Sequence, residues 1–134
     1  MIFTDVERAY LAARDLARLA TVGPGGAPYN HPVAFWVNPD SIDIGGPDLA
    51  ATRKFRNAVA EPRVSLVIDD TAPEPVGPGG QRGRGIEIRG TVEIIQLSEP
   101  LMQGFSRDVL RVHPRRIFSW NVAGPGAYGR DTAG

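Results

Sequence analysis

The chain has 134 residues, 42% of them apolar, and its 15 Lys and Arg residues balance its 15 Asp and Glu residues. This length fits one domain, and the neutral balance argues against a general binder of nucleic acid or membrane surfaces. The lack of cysteine excludes disulfides, thiolate nucleophiles and Cys-ligated metals. No apolar run has transmembrane length and no secretory signal pattern is apparent, so we expect a cytoplasmic protein.

The first part of the chain predicts one helix and three strands. The helix covers residues 4–14, where Thr4 and Glu7 match the spacing of a capping box. The strands are predicted at residues 16–22, 29–37 and 42–44, with turns rich in glycine, proline and asparagine between them. These short alternating segments indicate antiparallel pairing.

A second helix follows, with an apolar face that begins at Ala51 and an expected N-cap at Asp48. Its opening turns contain Arg53, Lys54 and Arg56, although the positive end of a helix dipole favours acidic side chains. Three cations at this position suggest an external anion, and phosphate is the natural candidate. The alternative is that these good helix formers simply face water.

The rest of the chain predicts three more strands, at residues 63–68, 86–95 and 115–122. Residues 69–85 are rich in proline and glycine and are expected to form a long loop, either a functional lid or a disordered segment. Ser98 and Pro100 mark the start of a third helix through Val109. Residues 123–134 are expected to be a flexible tail. Six strands and about three helices predict a mainly β fold built on a small closed barrel.

The residues available for catalysis are few. His31 and His113 lack the spacing of a metal pair, and no nucleophile elbow or P-loop is present. Asp69 and Asp70 are adjacent on a strand end, so their side chains should point to opposite faces. A domain with an anion site and little acid–base chemistry is typical of proteins that depend on a cofactor.

The order of several segments resembles the pyridoxamine 5'-phosphate oxidase-like split-barrel family. The segments are LATV (19–22), YNHPV (29–33), IDIG (42–45), TRKFRN (52–57) and PRVSLV (62–67). Two further runs, GIEIRGT (85–91) and HPRRIFSW (113–120), are similar to its small actinobacterial branch, which is assigned to the deazaflavin coenzyme F-420. The resemblance covers roughly residues 3–122 and implies a single domain at 1–122.

This resemblance implies a six-stranded antiparallel split β-barrel of the FMN-binding type. It also implies a homodimer with the cofactor at the subunit interface, and hydride transfer between the cofactor and a small organic substrate. Two alternatives stay open: an FMN-dependent oxidoreductase of the same fold, and a protein that binds a cofactor without turnover. The substrate does not follow from the resemblance.

The resemblance also implies a set of cofactor-binding residues. Thr52 and Lys54 match the hydroxyl–x–lysine pattern that holds the flavin phosphate, and Arg53 and Arg56 flank it. Asn57 closes the motif, although it also suits helix packing. The strand beside the cofactor ring contributes Asn30, Pro32 and Val33. Arg84 and Arg89 are placed where they either reach an acidic cofactor tail or form a solvated strand face.

Overall fold

The computed structural model describes residues 1–132, which form a seven-stranded antiparallel sheet, two α-helices and three short 3-10 turns. The elements in chain order are α1 (Asp5–Ala12), β1 (Leu16–Val22), β2 (Pro28–Val37), β3 (Ile42–Ile44), α2 (Arg53–Ala60), β4 (Arg63–Thr71), β5 (Gly83–Gln96), β6 (Asp108–Trp120) and β7 (Ala127–Asp131). The 3-10 turns are Pro24–Gly26, Leu49–Ala51 and Pro78–Gly80. Within these residues, no helix is long and apolar enough to cross a membrane.

Six of the strands close into a barrel, as predicted. The sheet order is β3-β2-β1-β4-β5-β6-β7, and a further pairing between β3 and β6 joins its ends. The long strand β6 makes this closure possible because its two halves have different partners. Its first half pairs with β3, with Ile44 opposite Leu110, and its second half pairs with β7, with Trp120 opposite Ala127. The strand β7 therefore lies outside the closed barrel.

The barrel interior is filled by alternate side chains of the strands. The fully buried residues include Leu19, Ile42, Ile44, Leu66, Ile68, Ile86, Ile88, Leu110 and Ile117. Period-2 alternation puts one set of side chains in the core and leaves the other set on the outer face.

Local capping explains where both helices begin. At α1 the predicted capping box is present: the Thr4 hydroxyl accepts from the Glu7 N–H at 3.1 Å, and the Glu7 carboxylate accepts from the Thr4 N–H at 2.9 Å. At α2 the predicted cap was wrong. Asp48 has a left-handed backbone (φ 47°) ahead of a 3-10 turn, and Thr52 caps the helix by accepting from the Phe55 N–H at 3.3 Å.

The third predicted helix is not formed, and residues 98–107 instead make bends and turns. Gly104 adopts φ 89°, which is incompatible with a right-handed helix. Phe105 packs against Gly45 and meets the Trp36 ring edge-on at 5.8 Å, so tertiary contacts leave its apolar side chain half-buried. Val109 belongs to β6.

Pairing also extends into the segments predicted to be irregular. β4 and β5 continue to Thr71 and Gly83, so the connecting loop is shorter than the predicted 69–85 and covers residues 72–82. The expected tail contains β7, whose Arg130 binds the buried Glu7 of α1. The last two residues of that tail, 133 and 134, lie outside the described residues.

Candidate functional site

Two adjoining depressions lie beside β1 and β4. We call the first the strand groove: it has a volume of about 610 Å³ and runs across the outer side of β1, β4 and β5. We call the second the helix cleft: it has a volume of about 650 Å³ and lies between α2 and the glycine turn after β1. Val22 and Arg63 line both, so the two depressions form one continuous surface.

The helix cleft contains three of the predicted cofactor residues. Arg53, Arg56 and Asn57 line it from α2, and Gly23 and Gly26 line it from the opposite turn. The first turn of α2 carries no acidic side chain, so the guanidinium groups add to the positive helix end instead of being neutralised there. The cleft is therefore suited to an anion.

The two arginines of α2 differ in their freedom to bind a ligand. Arg56 donates from Nη1 to the Ala51 carbonyl at 2.8 Å, which holds its side chain along the helix start. Arg53 is exposed and forms no ion pair with any residue from 1 to 132. Arg53 is thus the better placed of the two to contact a bound anion.

Lys54 and Thr52 are not among the residues that line the helix cleft. Burial lowers the pKa of the Lys54 ammonium group, and this group has no acidic partner in the described part of the chain. A half-buried cation without a counterion is stabilised by an anionic ligand. The Thr52 hydroxyl donates to the Leu49 carbonyl at 2.6 Å, so its proton is already engaged in the local fold.

Asn57 has a structural contact that accounts for its position. Its side-chain amide donates to the Thr21 hydroxyl at 3.1 Å, and both residues are buried. Each of these buried polar groups would lack a hydrogen-bond partner without the other, so this bond stabilises the packing of α2 against β1. This contact matches the helix-packing alternative raised for Asn57.

The three predicted residues of β2 do not share one surface. Val33 is buried opposite Ala17, whereas Asn30 and Pro32 are exposed. None of the three lines the strand groove, where β2 contributes Pro28. A ligand in the groove would therefore meet the start of β2 and not its middle.

The strand groove contains Arg89, which the resemblance suggested, together with residues that the sequence did not single out. Its apolar wall comes from Ala20, Val22, Pro28 and Val64, and its rim carries three arginines, Arg63, Arg89 and Arg115. Arg63 pairs with Glu61 at 2.7 Å and Arg89 with Glu87 at 3.0 Å. Arg115 has no acidic partner between residues 1 and 132. The only sequence signal for its position was the pair of consecutive arginines, 115 and 116, which interrupts the alternation of a strand.

Arg84 is held in an ion cluster away from the groove and the cleft. It donates to both oxygens of Asp70, at 2.8 and 3.0 Å, while Tyr10 donates to the same carboxylate at 2.7 Å. The Arg84 bonds are the main reason that the pKa of Asp70 is well below its usual range, and burial raises the pKa of Tyr10. Arg14 completes the cluster, which joins α1 to the β4–β5 hairpin.

The side chains of the described region offer binding and positioning more than acid–base chemistry. Residues 1–132 contain no group of three or more His, Cys, Asp and Glu residues that could hold a metal. His113 lies 2.8 Å from Glu93 on the outer side of the barrel, and His31 is exposed beside Tyr29. Neither histidine lines the groove or the cleft.

Comparisons with known proteins agree with this architecture. The chain is 37% identical, over 98% of its length and 94% of the relative, to a 5a,11a-dehydrotetracycline/5a,11a-dehydrooxytetracycline reductase of Streptomyces rimosus. Among solved structures, an F420 reductase matches 82% of this chain and 94% of its own with a TM-score of 0.62 and 23% identity. A heme binding protein from Mycobacterium smegmatis matches 98% of this chain and 59% of its own, with a TM-score of 0.71 and 15% identity.

At identities below 25%, these two structural matches establish the fold alone, and their different names show that this barrel serves more than one function. The family profile for pyridoxamine 5'-phosphate oxidase matches residues 3–121, which is almost the whole described chain. The chain therefore belongs to the pyridoxamine 5'-phosphate oxidase family.

Proposed function

We propose that the protein is an oxidoreductase that transfers a hydride between coenzyme F-420 and a small organic substrate. The observation that carries this proposal is the set of cations at the start of α2, where the exposed Arg53 lines the helix cleft and the half-buried Lys54 follows it, neither with an acidic partner in residues 1–132. The reductase relative at 37% identity supports an oxidoreductase, and the dehydrotetracyclines in its name are fused-ring molecules.

The chain's own residues would mainly bind and orient. Arg53 would hold the cofactor phosphate in the helix cleft, together with the first backbone N–H groups of α2, which have no partners inside the helix. The neighbouring Lys54 ammonium would add its positive charge to this site. The apolar wall of the strand groove would hold the substrate and exclude water from it. When bound, the cofactor supplies or accepts the hydride, which is chemistry that no side chain here provides.

We also propose that the active form is a homodimer with the cofactor at the subunit interface. The strand groove lies on the open outer face of the barrel, where a second copy could complete its wall. Light scattering during size-exclusion chromatography tests this, because a monomeric mass in the presence of bound cofactor would contradict it.

FMN is the second candidate cofactor, and one observation favours it. The two arginines that the resemblance offers for an acidic cofactor tail are already paired, Arg84 with Asp70 and Arg89 with Glu87. FMN has one phosphate and no such tail. A protein that binds either cofactor without turnover is the third candidate, and it would leave reduced cofactor unoxidised across a broad substrate panel.

The test is a titration of the purified protein with F-420 and, separately, with FMN, followed by ring fluorescence. A charge-assisted phosphate contact of about 1.5–3 kcal/mol predicts roughly 10- to 150-fold weaker binding in Lys54→Ala. Arg107→Ala is the matched control, because it removes one exposed positive charge that lines neither the groove nor the cleft. Binding of FMN alone would replace the cofactor in this proposal, and binding of neither would overturn the oxidoreductase assignment.

A further inference from the structure

A β-bulge in the barrel wall determines where Arg115 points. Along β5 and β6, Arg89 is opposite Arg116, but the next residue, Gly90, is opposite Pro114. Arg115 is therefore the extra residue, with no partner of its own on β5. Bulges of this kind bend a strand and redirect a side chain, and they are common beside functional sites.

Gly90 makes the bulge possible. A Cβ atom at this position would lie 2.2 Å from the His113 carbonyl oxygen and 3.2 Å from the Cα atom of Pro114. Both of these are backbone atoms that cannot move aside as a side chain could. The close approach of the two strands at the bulge thus requires glycine.

The bulge is also held from the C-terminal side. Thr132 donates from its backbone N–H to the Arg115 carbonyl at 2.9 Å and from its hydroxyl to the Pro114 carbonyl at 2.8 Å. Because these two carbonyls are satisfied, the backbone that carries Arg115 is fixed. The rim position of this guanidinium is built into the fold.

The extra residue restores the alternation that the core needs and separates the two arginines. Pro114 and Ile117 are both buried, although an unbroken strand would place them on opposite faces. Arg116 pairs with Asp131 of β7 at 2.9 Å, whereas the exposed Arg115 lines the strand groove. Because of the bulge, the Arg116 side chain reaches its ion pair with Asp131 and the Arg115 side chain lies at the groove.

The chemistry of the groove identifies what Arg115 would contact. Arg63 and Arg89 bring their own carboxylate partners, Glu61 and Glu87, so the charge of Arg115 is left unbalanced at a wall of small and apolar side chains. A smooth apolar wall on a strand surface fits a flat ring, and an unbalanced guanidinium fits an anionic oxygen.

We infer that Arg115, presented by the β5–β6 bulge, is the specificity-determining residue of the strand groove. It selects flat, largely apolar molecules that carry one anionic oxygen, such as a carboxylate or an enolate. That Arg115 selects substrates in this way rests on the proposed function. The preference of the groove for flat anionic molecules does not depend on that function.

The test uses two probes of nearly equal shape and no cofactor. One is 1-anilinonaphthalene-8-sulfonate, which is flat and anionic, and the other is N-phenyl-1-naphthylamine, which lacks the sulfonate. Each is titrated by fluorescence into the wild type, Arg115→Ala, Arg115→Lys and the control Arg107→Ala. Thermal unfolding verifies that every variant is folded.

We expect saturable binding of the anionic probe that weakens roughly tenfold or more in Arg115→Ala, since a charge-assisted contact is lost. Arg115→Lys should retain most of the affinity, and Arg107→Ala should retain all of it. The neutral probe should bind the wild type and Arg115→Ala equally. Equal binding of the anionic probe by the wild type and Arg115→Ala would overturn the inference. So would the absence of saturable binding, which is the result expected if a second copy of the chain covers the groove. Neither outcome depends on F-420 or FMN, so a failure of the proposed cofactor is distinguishable.

Discussion

Replacing Arg130 with alanine should destabilise the fold, because it removes the counterion of a buried carboxylate. Arg130 donates to the two carboxylate oxygens of Glu7 at 2.5 and 2.6 Å and to the Ile2 carbonyl at 3.0 Å. The Glu7 side chain is 5% exposed and the Arg130 side chain is 40% exposed. The variant therefore leaves a charge inside the protein with little water to replace the guanidinium.

The size of the effect follows from this burial. Breaking a buried ion pair costs about 3–5 kcal/mol, and an exposed pair contributes about 0–1 kcal/mol. Since only one partner is buried here, we expect a loss of about 2 kcal/mol. With an unfolding entropy of about 2.1 cal/mol/K per residue, this lowers the Tm of the chain by about 7 °C.

The assay is thermal and urea unfolding, with Arg116→Ala as the matched control. Arg116 of β6 pairs with Asp131, which follows Arg130 on β7, but the Asp131 side chain is 81% exposed. The control should therefore lose less than about 1 kcal/mol. If Arg130→Ala and Arg116→Ala unfold at the same temperature, burial of Glu7 is not what gives its ion pair its strength, and the reasoning is refuted.

A pH series gives a second check on the same pair. Burial acts to raise the pKa of Glu7, but the hydrogen bonds from Arg130 and Thr4 outweigh it and the pKa is lowered. The resulting stabilisation is present above the unfolded pKa of about 4.3 and is lost as the pH falls through the lower folded value. The stability difference between the wild type and Arg130→Ala should therefore narrow in acid.

Three further substitutions test other parts of the fold. Gly90→Ala forces a methyl group against the His113 carbonyl and should cost about 3 kcal/mol, measured as a lower urea midpoint; a cost near zero would contradict the bulge geometry. Asp43→Ala leaves the partly exposed Arg111 unpaired where β3 closes the barrel, so we expect a loss of about 2 kcal/mol and faster hydrogen exchange in β3, while unchanged exchange would argue against this role. Thr52→Ala removes the hydroxyl that caps α2 and should lower the stability by about 1 kcal/mol in thermal unfolding. An unaltered Tm would mean that this hydroxyl does not stabilise the helix.

The elements that could be predicted are those whose signal is local. The capping box of Thr4 and Glu7 needs only four residues of sequence, and the alternation of Ile86 and Ile88 gives a strand with one buried face. The barrel followed from the number and spacing of such segments. Its closure by β3 and β6 depends on residues that are about 70 positions apart, such as Ile42 and Val112.

The failed helix shows how tertiary contacts override a local pattern. Leu101, Phe105 and Val109 have helical spacing, yet Gly104 turns the backbone and the Phe105 ring packs edge-on against Trp36. The strand β7 was missed for a related reason. Its residues, Ala127–Asp131, have no apolar stripe, and the segment is ordered by pairing with β6 and by the bond from Arg130 to Glu7.

The site was predictable in its charge but not in its shape. The cations of α2 stand out because the helix start should be acidic, and this needs no knowledge of the fold. The rim position of Arg115 depends on the register between β5 and β6 and on the glycine that allows the bulge. Such a register belongs to a pair of strands, so it cannot be read from either strand alone.

The bond between Glu7 and Arg130 also sets an order of events during synthesis. Its two partners are 123 positions apart in the chain. At a synthesis rate of about 5–20 residues per second, Arg130 is added to the chain roughly 6–25 s after Glu7. Until then a nascent chain that docks α1 would bury an unneutralised carboxylate, so the N-terminal helix should dock only after the last strand has left the exit tunnel.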